Sequence, residues 1–315
     1  ILKNTLPKLV TKVKPDFIDT YLNLSEILKQ TDQRDEAKEC LRNAIQVNPD
    51  VADIHNNLGA LFYADEFFEE SIKCFKKAIE IDPKLADIYN NLGNAFKDTE
   101  LFEEAMKSYE TAIVLEPNSA EIHNNFGSLL SENLSRHDDA IISFKKAISL
   151  DLYFYPAHLN LGHTFVALNQ YESAVEAYKS TMTIKPDLGN ILGNLLNAKM
   201  NCCNWEKYNS LLNIKNIKKE FLDGKKVIAP FFLLSLIDDP SLQRKATEIK
   251  VNSDFPKNND LPLTELYSKH SKIRIGYFSA DFSEHPVALL TAGLYEVHNR
   301  EHFEIHAFSF GPDTK

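Results

Sequence analysis

NNLGALFYADEFFEESIKCFKKAIEIDP, residues 56–83, decides the fold. A small residue, Gly59, sits in its first apolar stretch. Ser71 and Ala78 stand seven residues apart in its second, with Phe75 between them, and Pro83 closes it. The same slots recur outward along the chain. Gly59 is followed by Gly93, Gly127 and Gly162, with Ser25 in the earliest copy. Ser71 answers to Ala37, Ala105, Ala140 and Ala174. Ala78 answers to Ala44, Ala112, Ala147 and Thr181, and Phe75 to Leu41, Tyr109, Phe144 and Tyr178. Asn57 belongs to a row of six: Asn23, Asn57, Asn91, Asn125, Asn160 and Asn194. They are spaced 34 residues apart, with one interval of 35 between Asn125 and Asn160. A fixed period of this length marks a solenoid in which each repeat is one pair of helices.

Small residues let two helices approach closely. An aromatic four residues from a small one lies on the same helical face and fills the space beside it. Proline cannot continue the second helix, so Pro15, Pro49, Pro83, Pro117 and Pro186 turn the chain toward the next pair. The extra residue of the long interval is expected between Asn133 and Asp138, after which Leu152 holds the proline slot. The pattern resembles the tetratricopeptide repeat. Five good copies run from about Ile18 to Pro186, half a repeat precedes them, and a degenerate sixth starts near Gly189. Such repeats stack into a superhelix whose inner wall is lined by the first helices.

Asparagine is a mediocre helix former, so a row kept through six repeats needs a reason. A carboxamide offers donor and acceptor and can bracket one peptide group of a guest chain. Repeats about 10 Å apart match about three residues of extended peptide at roughly 3.3 Å each. The second reading is that asparagine ties one repeat's helix to the next. The spacing favours a groove for an acceptor peptide, held by Asn23, Asn57, Asn91, Asn125, Asn160 and Asn194. Four residues earlier lie Asp19, Asp53, Asp87 and Glu121, an acidic row on the same face. An acidic residue in a first turn also offsets the helix dipole, and that structural role suffices for it. Tyr21, His55, Tyr89, His123 and His158 occupy a bulky slot of the first helix and read as packing, not as metal ligands.

The chain has 315 residues, 43% hydrophobic and 25% charged, with a net charge of −10. An acidic chain is poorly suited to nucleic acid or an anionic membrane surface. No apolar run has the length of a membrane span, and Ile1 to Lys14 lack the apolar core of a signal peptide. Cys40 and Cys74 share a slot on neighbouring helices, too far apart for a disulfide, so unpaired thiols and a cytoplasmic setting are expected. The chain opens on Ile1 and stops at Lys315 just after an apparent strand; it reads as an internal fragment.

Three regions follow: the repeat superhelix over 1–200, a helical connector and linker over 201–270, and the start of a further domain over 271–315. Cys202 and Cys203 lack a second pair that would complete a zinc set and are expected to be buried apolar residues. APFFLLSLIDDPSLQRKATEIKV, residues 229–251, predicts a short apolar helix, a turn and an amphipathic helix. Asn252 to Pro262 reads as a linker. Ile273 to Ser279 and Phe303 to Phe310 predict strands, with a helix from Pro286 to about His298 between them. A strand-loop-helix-strand order predicts a parallel pair and the opening of a doubly wound α/β lobe. Its first loop, Ala280 to His285, falls where such sheets bind ligands. Neither a G-x-G-x-x-G nor a P-loop is present. His285 stands at a strand's mouth and a helix's start, where the helix terminus keeps the ring neutral and able to accept a proton; it serves either there or as a cap. Asp281 and Ser283 read as loop-structuring residues.

The order of parts resembles the O-GlcNAc transferase/SPINDLY family, with bacterial-type members nearest. The resemblance rests on the repeats with their asparagine row, CNWEKY, APFFLLSLIDDPSLQ, and above all KIRIGYFSADFSEHPVALLTAGLYEVHNREHFEIHAFSFGPD, residues 272–313. It implies a mostly α chain: a tetratricopeptide-repeat superhelix followed by the start of a Rossmann-like lobe of a GT-B glycosyltransferase. It implies transfer of a sugar from a nucleotide donor, typically UDP-GlcNAc and in one branch GDP-fucose, to Ser or Thr of proteins, with inversion and without a metal or bound cofactor. It places His285 at the active site, near acceptor and sugar, as a general-base candidate, and gives the asparagine row the acceptor polypeptide. After His285 the sequence departs from the pattern at Val287 and Ala288. The family's second lobe, which supplies most nucleotide contacts, is not in these 315 residues, so they are expected to be inactive alone. A repeat scaffold that binds protein partners without catalysis is the alternative; the block from Ile273 to Phe310 favours the enzyme.

Overall fold

The computed structural model describes residues 18–254, 273–279 and 303–309. Five helix pairs come first. They are α1 (Ile18–Gln30) with α2 (Arg34–Val47), α3 (Ala52–Ala64) with α4 (Phe68–Ile81), and α5 (Ala86–Asp98) with α6 (Phe102–Leu115). Then come α7 (Ala120–Ser128) with α8 (His137–Leu150), and α9 (Tyr155–Ala167) with α10 (Tyr171–Ile184). The slots of the repeat form their core. Every residue of the two small slots on the second helices, from Ala37 to Thr181, is fully buried. Phe75, Tyr109, Phe144 and Tyr178 are buried between them.

The glycines explain how close the helices come. A Cβ on Gly59, Gly93, Gly127 or Gly162 would lie 2.7, 2.8, 2.7 and 2.5 Å from the ring of Phe75, Tyr109, Phe144 and Tyr178 respectively. The first repeat solves the same problem with Ser25 against Leu41, a larger small residue facing a smaller large one. Ser25 is buried, and its hydroxyl donates to Leu22 O at 2.7 Å. Ser71 donates to Gly59 O at 2.9 Å, so the one buried hydroxyl in the alanine slot of the second repeat is also satisfied.

Within each repeat the first helix ends in a left-handed residue: Asp32, Glu66, Glu100, Ser135 and Asn169, with φ from 52° to 63°. The next residue's N–H reaches back five positions, from Phe67 to Phe62 O and from Leu101 to Phe96 O, both at 2.9 Å. This is a Schellman closure, which satisfies carbonyls left open at the helix end. The fourth repeat differs. Leu129–Asn133 forms a π turn, and Arg136 N–H reaches back six positions to Leu130 O at 2.8 Å. The single extra residue is therefore absorbed inside the first helix, a little earlier than the sequence suggested, and the turn after it is preserved.

An ion-pair cluster locks the first two repeats. Lys38 Nζ lies 2.8 Å from both Asp35 and Asp65, and Arg34 Nη1 lies 2.9 Å from Asp65. Hydrogen bonds from Lys38 and then Arg34 hold the Asp65 carboxyl below the usual carboxylate range.

The sixth repeat keeps its first helix, α11 (Ile191–Asn201), and its left-handed turn residue, Cys203, at φ 52°. The connector follows: α12 (Tyr208–Leu211), α13 (Ile214–Leu222), α14 (Pro230–Leu236) and α15 (Pro240–Asp254). Leu196 of α11 shares a core with Ile217, Phe221, Leu233 and Leu242, so the connector packs directly on the last repeat. Asp239 caps α15, accepting from Ser241 N at 3.1 Å and Leu242 N at 3.2 Å. The helix runs through Asp254, three residues into the expected linker. Cys203 is exposed and Cys202 half-buried, so the pair is not a buried apolar unit; Cys203 serves the turn. All four cysteines are free, and burial pushes the Cys40 and Cys74 thiols up to about 11.

The chain divides into two compact units, Ile1–Pro256 and Lys257–Lys315. In the second, β1 (Ile273–Ser279) and β2 (Phe303–Ser309) pair in parallel, Ile273 opposite Phe303 and Ser279 opposite Ser309. The expected helix between them lies outside the described residues. Among the described residues no helix is long and apolar enough to cross a membrane.

Two outcomes follow from this packing. Gly93→Ala should lower stability by about 1–3 kcal/mol through overpacking, and Tyr109→Leu in the same chain should recover part of the loss; urea unfolding of the four-member cycle measures both. Asp65→Asn should cost about 1–2 kcal/mol at neutral pH. Because the folded carboxyl titrates below its unfolded value, that contribution is complete above the ordinary carboxylate range. It is lost as pH falls through the lowered value, so wild type and variant should converge in thermal unfolding at acid pH.

Candidate functional site

The asparagine row sits on the first helices, at the seam between neighbouring repeats. Asn57, Asn91, Asn125, Asn160 and Asn194 are half-buried, and Asn23 is exposed. The geometry assigns three of them a partner in the preceding repeat. Asn91 Nδ2 donates to Asn56 Oδ1 at 3.1 Å, Asn125 Nδ2 to Asn90 Oδ1 at 3.1 Å, and Asn160 Nδ2 to Asn124 Oδ1 at 3.0 Å. Asn90 and Asn124 are themselves buried. Each of these three seams thus carries one amide-to-amide bond between repeats. The bracing role weighed from the sequence is present at these three rungs.

The acceptor asparagines went unassigned in the sequence, although the doubled Asn of 56–57, 90–91 and 124–125 signals them. The doubling fails at Leu22 and Leu159. Correspondingly, Asn57 makes no side-chain hydrogen bond among the described residues. Asn194 instead meets His163 Nε2 at 3.2 Å. The His163 ring packs edge-on against Tyr178 with centroids 5.7 Å apart, and desolvation lowers its pKa. The residue as a whole still meets solvent, so the ring is only partly withdrawn from water.

Bracing uses one of the two amide hydrogens. At Asn91 and Asn160 the side-chain oxygen accepts no hydrogen bond among the described residues; Asn125 Oδ1 is met by Asn124 Nδ2 at 3.3 Å. At Asn91 and Asn160 an unengaged carboxamide oxygen therefore persists beside the brace. The acidic row, Asp19, Asp53, Asp87 and Glu121, is exposed in the first turn of α1, α3, α5 and α7. Further along the first helices, Tyr63 OH donates to Asp98 of the next repeat, a second tie across a seam.

The histidines of the bulky slot have a structural task. His55 Nε2 bonds Pro49 O at 2.8 Å, His123 Nε2 bonds Pro117 O at 3.0 Å and His158 Nε2 bonds Leu152 O at 3.1 Å. A carbonyl only accepts, so each ring carries its proton on Nε2 and fastens the repeat's entry to its first helix. Among the described residues no cluster of His, Cys, Asp or Glu could hold a metal ion. His285, with Asp281 and Ser283, lies outside the described residues, which hold the two strands flanking its segment.

Residues 26–65 and 68–99 match a model of the TPR repeat, and 86–119, 120–153 and 157–192 match tetratricopeptide-repeat models. Among solved structures the chain is similar to pilF of Pseudomonas aeruginosa. Identity is 18% and the TM-score 0.57, over 75% of this chain and 97% of that one. It is also similar to the APC/C hetero-tetramer Cut9–Hcn1, at 13% identity and TM-score 0.59, over 78% of this chain and 45% of that one. These likenesses define the class: a tetratricopeptide-repeat protein. Residues 251–315 match the model of glycosyl transferase family 41. The chain thus joins a repeat superhelix to a stretch with the sequence character of that family. No curated protein matches it.

The braces make a stability prediction. Asn91→Ala, Asn125→Ala and Asn160→Ala should each cost about 0.5–1.5 kcal/mol, whereas Asn57→Ala should stay within about 0.5 kcal/mol of wild type. Urea unfolding followed by circular dichroism separates the two groups.

Proposed function

We propose that this chain is the acceptor-holding part of a protein O-glycosyltransferase, moving a sugar from a nucleotide donor to Ser or Thr of polypeptides held along the repeats. One observation carries the reading: repeats with an asparagine row run into residues that match glycosyl transferase family 41. The donor is UDP-GlcNAc, with GDP-fucose the alternative. In this reading a guest peptide lies along the first helices, and the carboxamides of Asn23, Asn57, Asn91, Asn125, Asn160 and Asn194 contact its backbone. Backbone contact tolerates many sequences, which suits an enzyme with varied protein substrates. His285 accepts the proton of the attacking hydroxyl as the oxygen bonds to the anomeric carbon and the nucleoside diphosphate departs. No metal is needed, and the reaction belongs in the cytoplasm.

A non-catalytic scaffold is favoured by a different observation: three of the six asparagines are engaged in holding repeats together, as a purely structural row would be. The two readings part at one experiment. The full-length protein is assayed with labelled UDP-GlcNAc and GDP-fucose against unfolded protein acceptors. His285→Ala should lower kcat by about 10²–10⁴-fold while acceptor binding stays intact. Absence of transfer from both donors, with binding retained, would leave the scaffold reading. Asn57→Ala, which costs no brace, should weaken acceptor binding; unchanged binding in that variant removes the row from recognition without touching His285.

A further inference from the structure

The sixth repeat breaks one rule of the other five. The residue whose carbonyl closes the turn of the first helix is apolar in every earlier copy: Leu28, Phe62, Phe96, Leu130 and Phe165. In the sixth it is Lys199, whose carbonyl accepts from Asn204 N–H at 2.8 Å in the same closure. Packing at this slot asks for an apolar side chain, yet Lys199 is only 2% exposed. Its ammonium donates to Asn204 Oδ1 at 2.8 Å. That oxygen also accepts Glu206 N–H at 3.2 Å and is therefore shared. An ammonium has three hydrogens to place. Among the described residues Lys199 forms no ion pair, and a buried charge without a counter-charge is costly.

Beside Lys199 lies a cavity of about 350 Å³, which Lys179, Lys207, Thr183, Ser210 and Glu206 also line. Three lysines and one glutamate are thus among its lining residues. Lys179 pairs with Glu176 at 2.7 Å, but both side chains are exposed and such a pair is weak enough to be shared. Lys207 is exposed and forms no ion pair among the described residues. We propose that this cavity, at the junction of the last repeat and the connector, binds a small phosphate-type oxyanion, with the Lys199 ammonium as its buried counter-charge. Lysines approaching from separate elements suit a tetrahedral anion, to which each offers a point charge and a donor. The hydroxyls of Thr183 and Ser210 are committed to Lys179 O and Lys207 O, so the ammonium groups, not the hydroxyls, provide the donors.

The test titrates the chain with inorganic phosphate, and separately with glycerol 3-phosphate, by calorimetry at constant ionic strength, and follows thermal unfolding in parallel. Saturable one-to-one binding and a rise in Tm are expected. Lys199→Met, which restores the apolar slot, should fold and should weaken binding by at least about tenfold, as loss of a charge-assisted hydrogen bond does. Lys179→Met with Lys207→Met should weaken it without disturbing the buried slot, which keeps the test decisive if Lys199→Met fails to fold. Equal affinity for both probes assigns the site to a phosphate ester; preference for inorganic phosphate assigns it to the free ion. Absence of saturable binding by the wild type overturns the proposal, as does undiminished binding in the lysine variants. A fall in Tm for Glu206→Gln with no phosphate response would make Glu206 the counter-charge instead.

Discussion

The close approach of a helix backbone to an aromatic ring, repeated once per helix pair, is the constraint on which the rest depends. At Gly59, Gly93, Gly127 and Gly162 there is no room for a Cβ against the facing ring. Glycine in a helix interior costs about 1 kcal/mol relative to alanine, so the position is bearable only because ring burial offsets it. Once that distance is set, the second helix has a fixed place against the first. The alanine slots on either side of the ring then become fully buried, and the next repeat meets a surface of defined shape. In the first repeat Ser25 and Leu41 occupy the two slots and both are buried, so neither glycine nor an aromatic ring is required there.

A stack built this way has a weakness at its seams, because each repeat contacts only its neighbours. Polar ties reinforce the seams: the amide pairs of the asparagine row, Tyr63 with Asp98, and the Asp65 cluster. Their registry survives the one irregular repeat because the extra residue is taken up by the π turn at Leu129–Asn133. That turn follows Asn125 and precedes Ser135, so both the asparagine seam and the left-handed turn keep their places. An insertion in the turn itself would have shifted the second helix against the first and cost the buried Phe144 its slot.

Much of this was legible in the sequence because periodicity reports packing. The small slots, the ring slots, the proline ends and the two strands follow from spacing and side-chain size, and the structure has them. What was not legible depends on direction. The row of Asn57, Asn91 and Asn125 announces itself as polar and periodic, but period alone does not say whether an amide points to a guest or to Asn56 and Asn90. The exposure of Cys203 was likewise hidden, because its place in a left-handed turn is set by the Schellman closure and not by its chemistry. Lys199 escaped notice for the opposite reason. One lysine in a degenerate repeat reads as ordinary surface until its slot is aligned with Phe96 and Phe165.

At Asn91 and Asn160 the brace and the proposed acceptor contact use different atoms. A carboxamide carries two donor hydrogens and an acceptor oxygen. The brace at Asn91 takes one hydrogen and leaves the oxygen open among the described residues. The consequence is favourable for a binding wall. A free asparagine side chain must be immobilised when a ligand arrives, at a cost of about 0.5–1.5 kcal/mol for a rotamer-rich side chain. One already held by its neighbour meets that cost on folding. Asn57 and Asn194 lack the acceptor asparagine because Leu22 and Leu159 stand in its place. Asn91, Asn125 and Asn160 are therefore braced by asparagine and Asn194 by His163, while Asn57 has no such tie among the described residues. Amides already held in this way suit the grip proposed for an extended chain, because less of their freedom is left to be lost on binding.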